Sequence, residues 1–123
     1  MGKNVVICGF DTKVNDILKT NIPADMTIQY SPKGLWSHVE KKHKNCLPYL
    51  ECLEEFILSA DYVGQQKKQG ENSFELVKVV QENVLIAIQF DSKDGYLYVA
   101  SVYDISNTKL ENRLYSGRMK PLR

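Results

Sequence analysis

The chain has 123 residues, of which 43% are hydrophobic and 25% charged, and a net charge of +1. That is one soluble globular domain with a single core, neither a disordered chain nor a two-domain one. No apolar run approaches the ~18–20 residues of a membrane helix, and the short apolar run of the opening MGKNVVICGFD meets Asp11 at once, unlike a secretory leader. The expectation is a cytoplasmic protein with no membrane association.

Residues 3–8 (KNVVIC) predict a short strand or an extended arm. Val14, Ile17 and Leu18, at i, i+3 and i+4, predict a short helix capped by Asp11 or Thr12 and closed before Pro23. Residues 27–30 alternate as a brief strand, and Ser31-Pro32-Lys33-Gly34 reads as a turn. A helix follows over residues 35–42, then a longer one over 47–60, with Asn45 as its cap and Pro48 in its first turn. Leu50, Leu53, Ile57 and Ala60 form its apolar stripe, widened by Leu47 and Phe56. After Tyr62 the pattern is strand-like: an edge strand over 62–66, a polar loop over 65–73, and a strand over 74–80. A nearly all-apolar central strand spans 84–90, the loop DSKDG carries an Asp-Gly hairpin signal, and an antiparallel partner spans 96–104. Residues 110–123 show no period. The expected fold class is α+β, with N-terminal helices packed on an antiparallel β-sheet.

Charge is unevenly placed. Lys33, Lys41, Lys42 and Lys44 stand against Glu40, the next stretch holds Glu51, Glu54, Glu55 and Asp61 with no base, and Lys109, Arg113, Arg118, Lys120 and Arg123 stand against Glu111. Two basic islands permit an anion site if they meet in space, and otherwise are solubilising surface. The three cysteines, Cys8, Cys46 and Cys52, argue against a disulfide scaffold, and no C-x-x-C or H-x-x-x-H spacing favours a metal. Cys46 and Cys52 lie in the acidic stretch, where a thiolate is disfavoured.

The two histidines, His38 and His43, fall in LWSHVEKKHKN. On one continuous helix they point ~140° apart. They converge only if the helix ends near Lys42 and His43 turns back. This spacing suits acid–base work better than a metal pair, which prefers i, i+4. The alternative is one packing histidine and one exposed one. In LYVASVYDI, unbroken alternation puts Ser101 and Tyr103 on one strand face with Leu97 and Val99, and Tyr96, Tyr98, Ala100 and Val102 on the other. A hydroxyl beside a phenol suits a phosphate or a reacting group; a core serine and a packed tyrosine are the plainer reading. In KLENRLYSGRMKPLR, Arg113, Arg118 and Lys120 with Tyr115 combine phosphate-matching cations with an aromatic, as RNA binding requires; a solvated tail is the competing reading. Trp36 reads as a helix-packing residue.

The order of LWSHVEKKH, a helix ending in ILSADYV, a central apolar strand and a strand ending in Ser101-Val102-Tyr103 resembles the phage- and mobile-element-borne nuclease domains of the barnase–EndoU–colicin–RelE-like superfamily, over roughly residues 14–117. The resemblance implies N-terminal helices on a twisted antiparallel sheet of about four strands. It also implies metal-independent RNA cleavage without a cofactor, by toxins of phage or mobile elements. Carried over, the histidine motif falls on His38 and His43 and the last-strand motif on Ser101 and Tyr103, with serine where threonine is expected. Arg113 is the first choice for the cationic residue and Lys78 the second. Lys41, Lys42, Lys78, Tyr115, Arg118 and Lys120 are the candidate RNA contacts.

The implied function is a metal-independent endoribonuclease toxin working by 2′-hydroxyl transesterification. Its partners are RNA, tRNA among the candidates, and a cognate immunity or antitoxin protein. The alternative is a non-catalytic RNA- or protein-binding accessory module on the same fold.

Overall fold

The most apolar stretch of the sequence lies at the centre of one sheet. A computed structural model of the chain describes residues 4–65 and 72–122. The elements are β1 (Val5–Gly9), α1 (Lys13–Leu18), β2 (Thr27–Tyr30), α2 (Pro32–Lys42), a 3-10 helix (Lys44–Cys52), α3 (Leu53–Leu58), β3 (Tyr62–Gly64), β4 (Phe74–Val79), β5 (Asn83–Asp91), β6 (Tyr96–Ile105), α4 (Asn107–Tyr115) and β7 (Met119–Pro121). The described strands form a seven-stranded sheet in the order β1-β2-β6-β5-β4-β3-β7, rather than about four. It is not wholly antiparallel either: β2 runs parallel to β6 through Ile28–Leu97 and Gln29–Tyr98.

Local chemistry accounts for the departures from the predicted elements. The expected turn at Ser31 is the start of α2: Ser31 Oγ accepts from the Gly34 N–H at 3.3 Å, and Pro32 takes the first helical position, where its missing N–H costs nothing. The expected long helix over 47–60 is divided. Pro48 has no donor for an i→i−4 bond, and the segment around it winds as the tighter 3-10 helix before α3 begins. The stretch after 105 holds a helix and a strand. Ser106 Oγ caps α4 by accepting from the Lys109 N–H at 3.1 Å, and of its apolar residues only Leu110 and Leu114 turn inward, too few to show a period in sequence.

The hairpin loop behaves as its sequence suggests. Asp91 Oδ1 accepts from the Lys93 and Asp94 N–H groups, and Gly95 takes a φ of 72°. Strand β3 is not an edge, because β7 pairs on its outer side. Gly64 permits that approach: a Cβ there would meet Met119 Cε at 3.0 Å and the Arg118 carbonyl oxygen at 3.1 Å. The expected edge strand over 62–66 is shorter, since Gln65 follows β3 outside the strand; Gln66 and most of the polar loop at 65–73 lie outside the described residues.

Two apolar clusters divide the side chains by sheet face. The larger joins Leu35 and Val39 of α2, Cys46, and Leu53 and Phe56 of α3 with Leu76, Val84, Ile86, Ile88, Leu97, Val99 and Val102. The smaller joins Val77, Leu85, Ala87, Ile105 and Met119 with Leu110 of α4, and Tyr103 packs against it. Tyr103 therefore does not share a face with Leu97 and Val99. The cause is a β-bulge: Ile88 pairs with Val99, but its neighbour Ala87 pairs with Ser101, leaving Ala100 as an extra residue that reverses the alternation of β6. Leu97, Val99 and Val102 face the larger cluster, and Ser101, Tyr103 and Ile105 the smaller. Trp36 does not pack as expected and is 48% exposed.

Leu53 is 3% exposed within the larger cluster, whereas Leu58 on the same helix is 69% exposed. Leu53→Ala is expected to cost about 2–5 kcal/mol and Leu58→Ala less than about 0.5 kcal/mol; urea melts of the two variants check this difference.

Candidate active site

Strand β6 pairs with β2 only at Leu97 and Tyr98, so its bulged half has α2 and the 3-10 helix beside it instead of a strand. Helix α2 ends at Lys42, and His43 leaves the helical conformation at φ −145°, ψ 52° while its N–H still reaches the Val39 carbonyl at 2.7 Å. That break turns His43 back towards His38, and the two rings meet edge to face with centroids 5.8 Å apart. His38 Nε2 lies 3.1 Å from Ser101 Oγ. The His43 ring stacks on Tyr103 at 5.1 Å with 29° between planes. Four side chains from two separated segments thus gather at one edge of the sheet, on the face the bulge selects.

Asp104 fixes the segment after His43. Its Oδ1 accepts from Asn45 Nδ2 at 2.9 Å and from the Cys46 thiol at 3.8 Å. The Asn45 hydrogen bond, with help from Cys46 and from the positive charge His43 can carry, holds the Asp104 carboxyl below the usual range. Burial and the neighbouring Asp104 push the Cys46 thiol up to about 11, so it stays protonated and is no nucleophile at neutral pH. His43 is shifted below the ordinary histidine value, first by desolvation and then by His38; Asp104 pulls it back up, and Lys42 adds a lesser downward push. It is therefore the neutral imidazole at pH 7, fitted to accept a proton.

A second charged group lies on the same sheet face. Ser101 pairs with Ala87, and Ala87 with Glu75, so the three occupy one row across β6, β5 and β4. Glu75 is fully buried, with Arg113 Nη1 3.3 Å and Arg118 Nη2 3.4 Å from its Oε1. Arg118 Nε also donates to the Gln65 carbonyl at 3.3 Å. Among the described residues, one carboxylate thus faces two guanidiniums. In the register of the sheet, Ala87 stands between it and Ser101.

The remaining candidates are dispersed. Lys41 and Lys42 are exposed at the end of α2, Lys120 is exposed on β7, and Tyr115 is 95% exposed at the end of α4. Lys78 pairs across from Val84, on the face opposite Ser101, where its Nζ donates to the Ser59 carbonyl at 3.0 Å and lies 3.9 Å from Asp61. Among the described residues, no three His, Cys, Asp or Glu side chains gather as a metal site would need, and no helix is long and apolar enough to cross a membrane. Sequence reading missed Asp104 and Glu75. Asp104 directly follows the Ser-x-Tyr motif, and Glu75 is a lone acid inside the apolar run FELVKV, which is the signal that marks it.

With this geometry in view, the chain matches a protein family, the phage-Barnase-EndoU-ColicinE5/D-RelE like nuclease3 family, over residues 5–112. The chain belongs to that family of nucleases. The matched span includes His38, His43, Ser101, Tyr103, Asp104 and Glu75 and stops within α4, before Arg113. No curated protein and no solved structure matches the chain.

The electrostatics around His43 are checked by following its ring protons by NMR across pH. The wild-type midpoint is expected below the ordinary histidine value. Lys42→Gln removes a nearby positive charge and should raise it; Asp104→Asn removes the negative one and should lower it further.

Proposed function

We propose that this nuclease cleaves RNA without a metal, using the 2′-hydroxyl of the substrate as nucleophile. The observation that supports this most is the meeting of His38, His43, Ser101 and Tyr103 at one edge of the sheet in a chain of a nuclease family. In this reading, neutral His43 takes the proton from the 2′-oxygen as that oxygen bonds to phosphorus. The bond from phosphorus to the 5′-oxygen breaks, and His38 supplies a proton to the leaving oxygen. The products are a 2′,3′-cyclic phosphate and a free 5′-hydroxyl. Ser101 Oγ, placed by its contact with His38, and the Arg113 and Arg118 guanidiniums stabilise the phosphorane. Tyr103 holds the His43 ring by stacking. Lys41, Lys42 and Lys120 engage the RNA backbone away from the cut, and Tyr115 gives a base a surface to stack on. Lys78 has no part in the site, since it faces the other side of the sheet.

Activity of this kind suits a toxin of a phage or mobile element, held in check by an immunity or antitoxin protein in the cytoplasm of the producing cell. The alternative, a non-catalytic accessory module on the same fold, would not need both histidines. His38→Ala and His43→Ala are each expected to reduce RNA cleavage by the purified protein by roughly 10²–10⁴-fold, with circular dichroism unchanged. Cleavage should persist in EDTA. Wild-type rates in both folded histidine variants would refute the mechanism, and loss of cleavage in chelator with rescue by a divalent ion would refute its metal independence.

A further inference from the structure

The face of the sheet that carries Ser101 continues towards the start of β6 as a row of polar and aromatic side chains. Tyr98 pairs with Gln29 of β2 on one side and Gln89 of β5 on the other, so the three stand abreast. Their neighbours in the strands, Ile28, Leu97 and Ile88, belong to the larger apolar cluster, which places this row on the opposite face, with Ser101. All three are half-buried, whereas Leu85 and Ala87 pack against Leu110 of α4.

Contacts within and beside the row order it. The Tyr98 hydroxyl donates to Gln89 Oε1 at 2.9 Å, and Tyr96 meets the Tyr98 ring edge to face at 6.3 Å, so the phenol is held from two sides. Gln29 Nε2 donates to Thr27 Oγ1 at 2.9 Å, which fixes its carboxamide and leaves its Oε1 and second amide hydrogen directed away from that bond. Along β6, Tyr98 is three residues before Ser101, or roughly 7–10 Å with the bulge between them. A nucleotide whose phosphate sits at Ser101 has its base within reach of that ring.

We propose that Tyr98 and Gln29 form a nucleobase subsite next to the cleavage centre, taking an adenine of single-stranded RNA. The inference rests on the reading of the site as a ribonuclease and adds its sequence preference. Single-stranded bases are recognised by stacking on aromatic rings and by hydrogen bonds along their edges. A fixed aromatic ring flanked by an oriented carboxamide supplies both. A glutamine amide, with one donor beside one acceptor, pairs in two-point fashion with the N6 and N7 of adenine. Gln89 has a positioning role, because its oxygen already takes the Tyr98 hydrogen. The row carries no charge, so it adds selectivity without adding general affinity for the backbone.

The test has two arms. In the first, purified protein cuts a randomised single-stranded RNA pool and the cut sites are sequenced. Wild type should favour adenine at one position beside the cut. Gln29→Leu should flatten that preference, and Tyr98→Ala should reduce cleavage at preferred sites on the order of 10- to 100-fold. Tyr98→Phe keeps the ring and should retain most of it. In the second arm, the binding of uncleavable 2′-deoxyadenosine and 2′-deoxycytidine oligonucleotides is measured by fluorescence anisotropy. Wild type should bind the adenine oligomer more tightly, and Tyr98→Ala should remove the difference. A wild type that cuts with no preference beside the cut, or a Gln29→Leu protein that keeps the wild-type preference, overturns the subsite and leaves the ribonuclease reading standing. A wild type that cuts no RNA overturns the ribonuclease reading, and equal binding of the two oligomers then overturns the subsite as well.

Discussion

One extra residue in β6 decides what the sheet can do. Ala100 has no partner on β5, and the strand beyond it is turned over relative to the strand before it. Without that insertion, Ser101 and Tyr103 would continue the line of Leu97 and Val99 into the larger core, where a serine hydroxyl and a phenol are costly to bury without partners. With it, Val102 takes the core position and the two hydroxyl groups emerge on the other face. The bulge lies just past the point where β2 stops pairing with β6, so the re-aimed side chains meet α2 rather than another strand. β-bulges re-aim side chains beside active sites in this way in many sheets. Here the bulge and the end of α2 act together: one presents Ser101 and Tyr103, and the other returns His43 to them.

The charges around this edge are arranged with similar economy. Asp104 leaves β6 on the face opposite Tyr103, binds Asn45 and Cys46, and so ties down the segment that carries His43. Glu75 is buried where a lone carboxylate would be prohibitively desolvated, and two arginines from the end of the chain accompany it. The pairing fixes α4 and the start of β7 against the sheet, on the face that carries Ser101.

Much of this was legible in the sequence, and the losses have specific physical causes. Alternation and apolar runs located β2, β4, β5 and β6, because burial of one or both faces leaves a period-two or continuous pattern. The conditional argument from five-residue spacing anticipated how His38 and His43 converge, since a helix break near Lys42 is the one arrangement that brings them together. Alternation failed at Ala100, because a bulge changes the pairing and not the composition. The helix over 47–60 was misread because Pro48 is acceptable in a first turn and its 3-10 surroundings share the same apolar spacing. Helix α4 and β7 were invisible because short elements with two or three inward side chains carry no period. Their role is electrostatic as much as apolar, and the partner of their arginines, Glu75, lies some forty residues earlier in the chain.

The central claim is that the nucleophile belongs to the substrate, and the chemistry of the cut ends tests it most directly. RNA cleaved by the purified protein should end in a 2′,3′-cyclic phosphate on one fragment and a 5′-hydroxyl on the other, read by phosphatase-resistant end labelling and mass spectrometry. A single 2′-deoxy substitution at the cut site should abolish cleavage there. Fragments bearing a 3′-hydroxyl and a 5′-phosphate, or undiminished cutting at the 2′-deoxy position, would show that water attacks the phosphorus and would contradict the account.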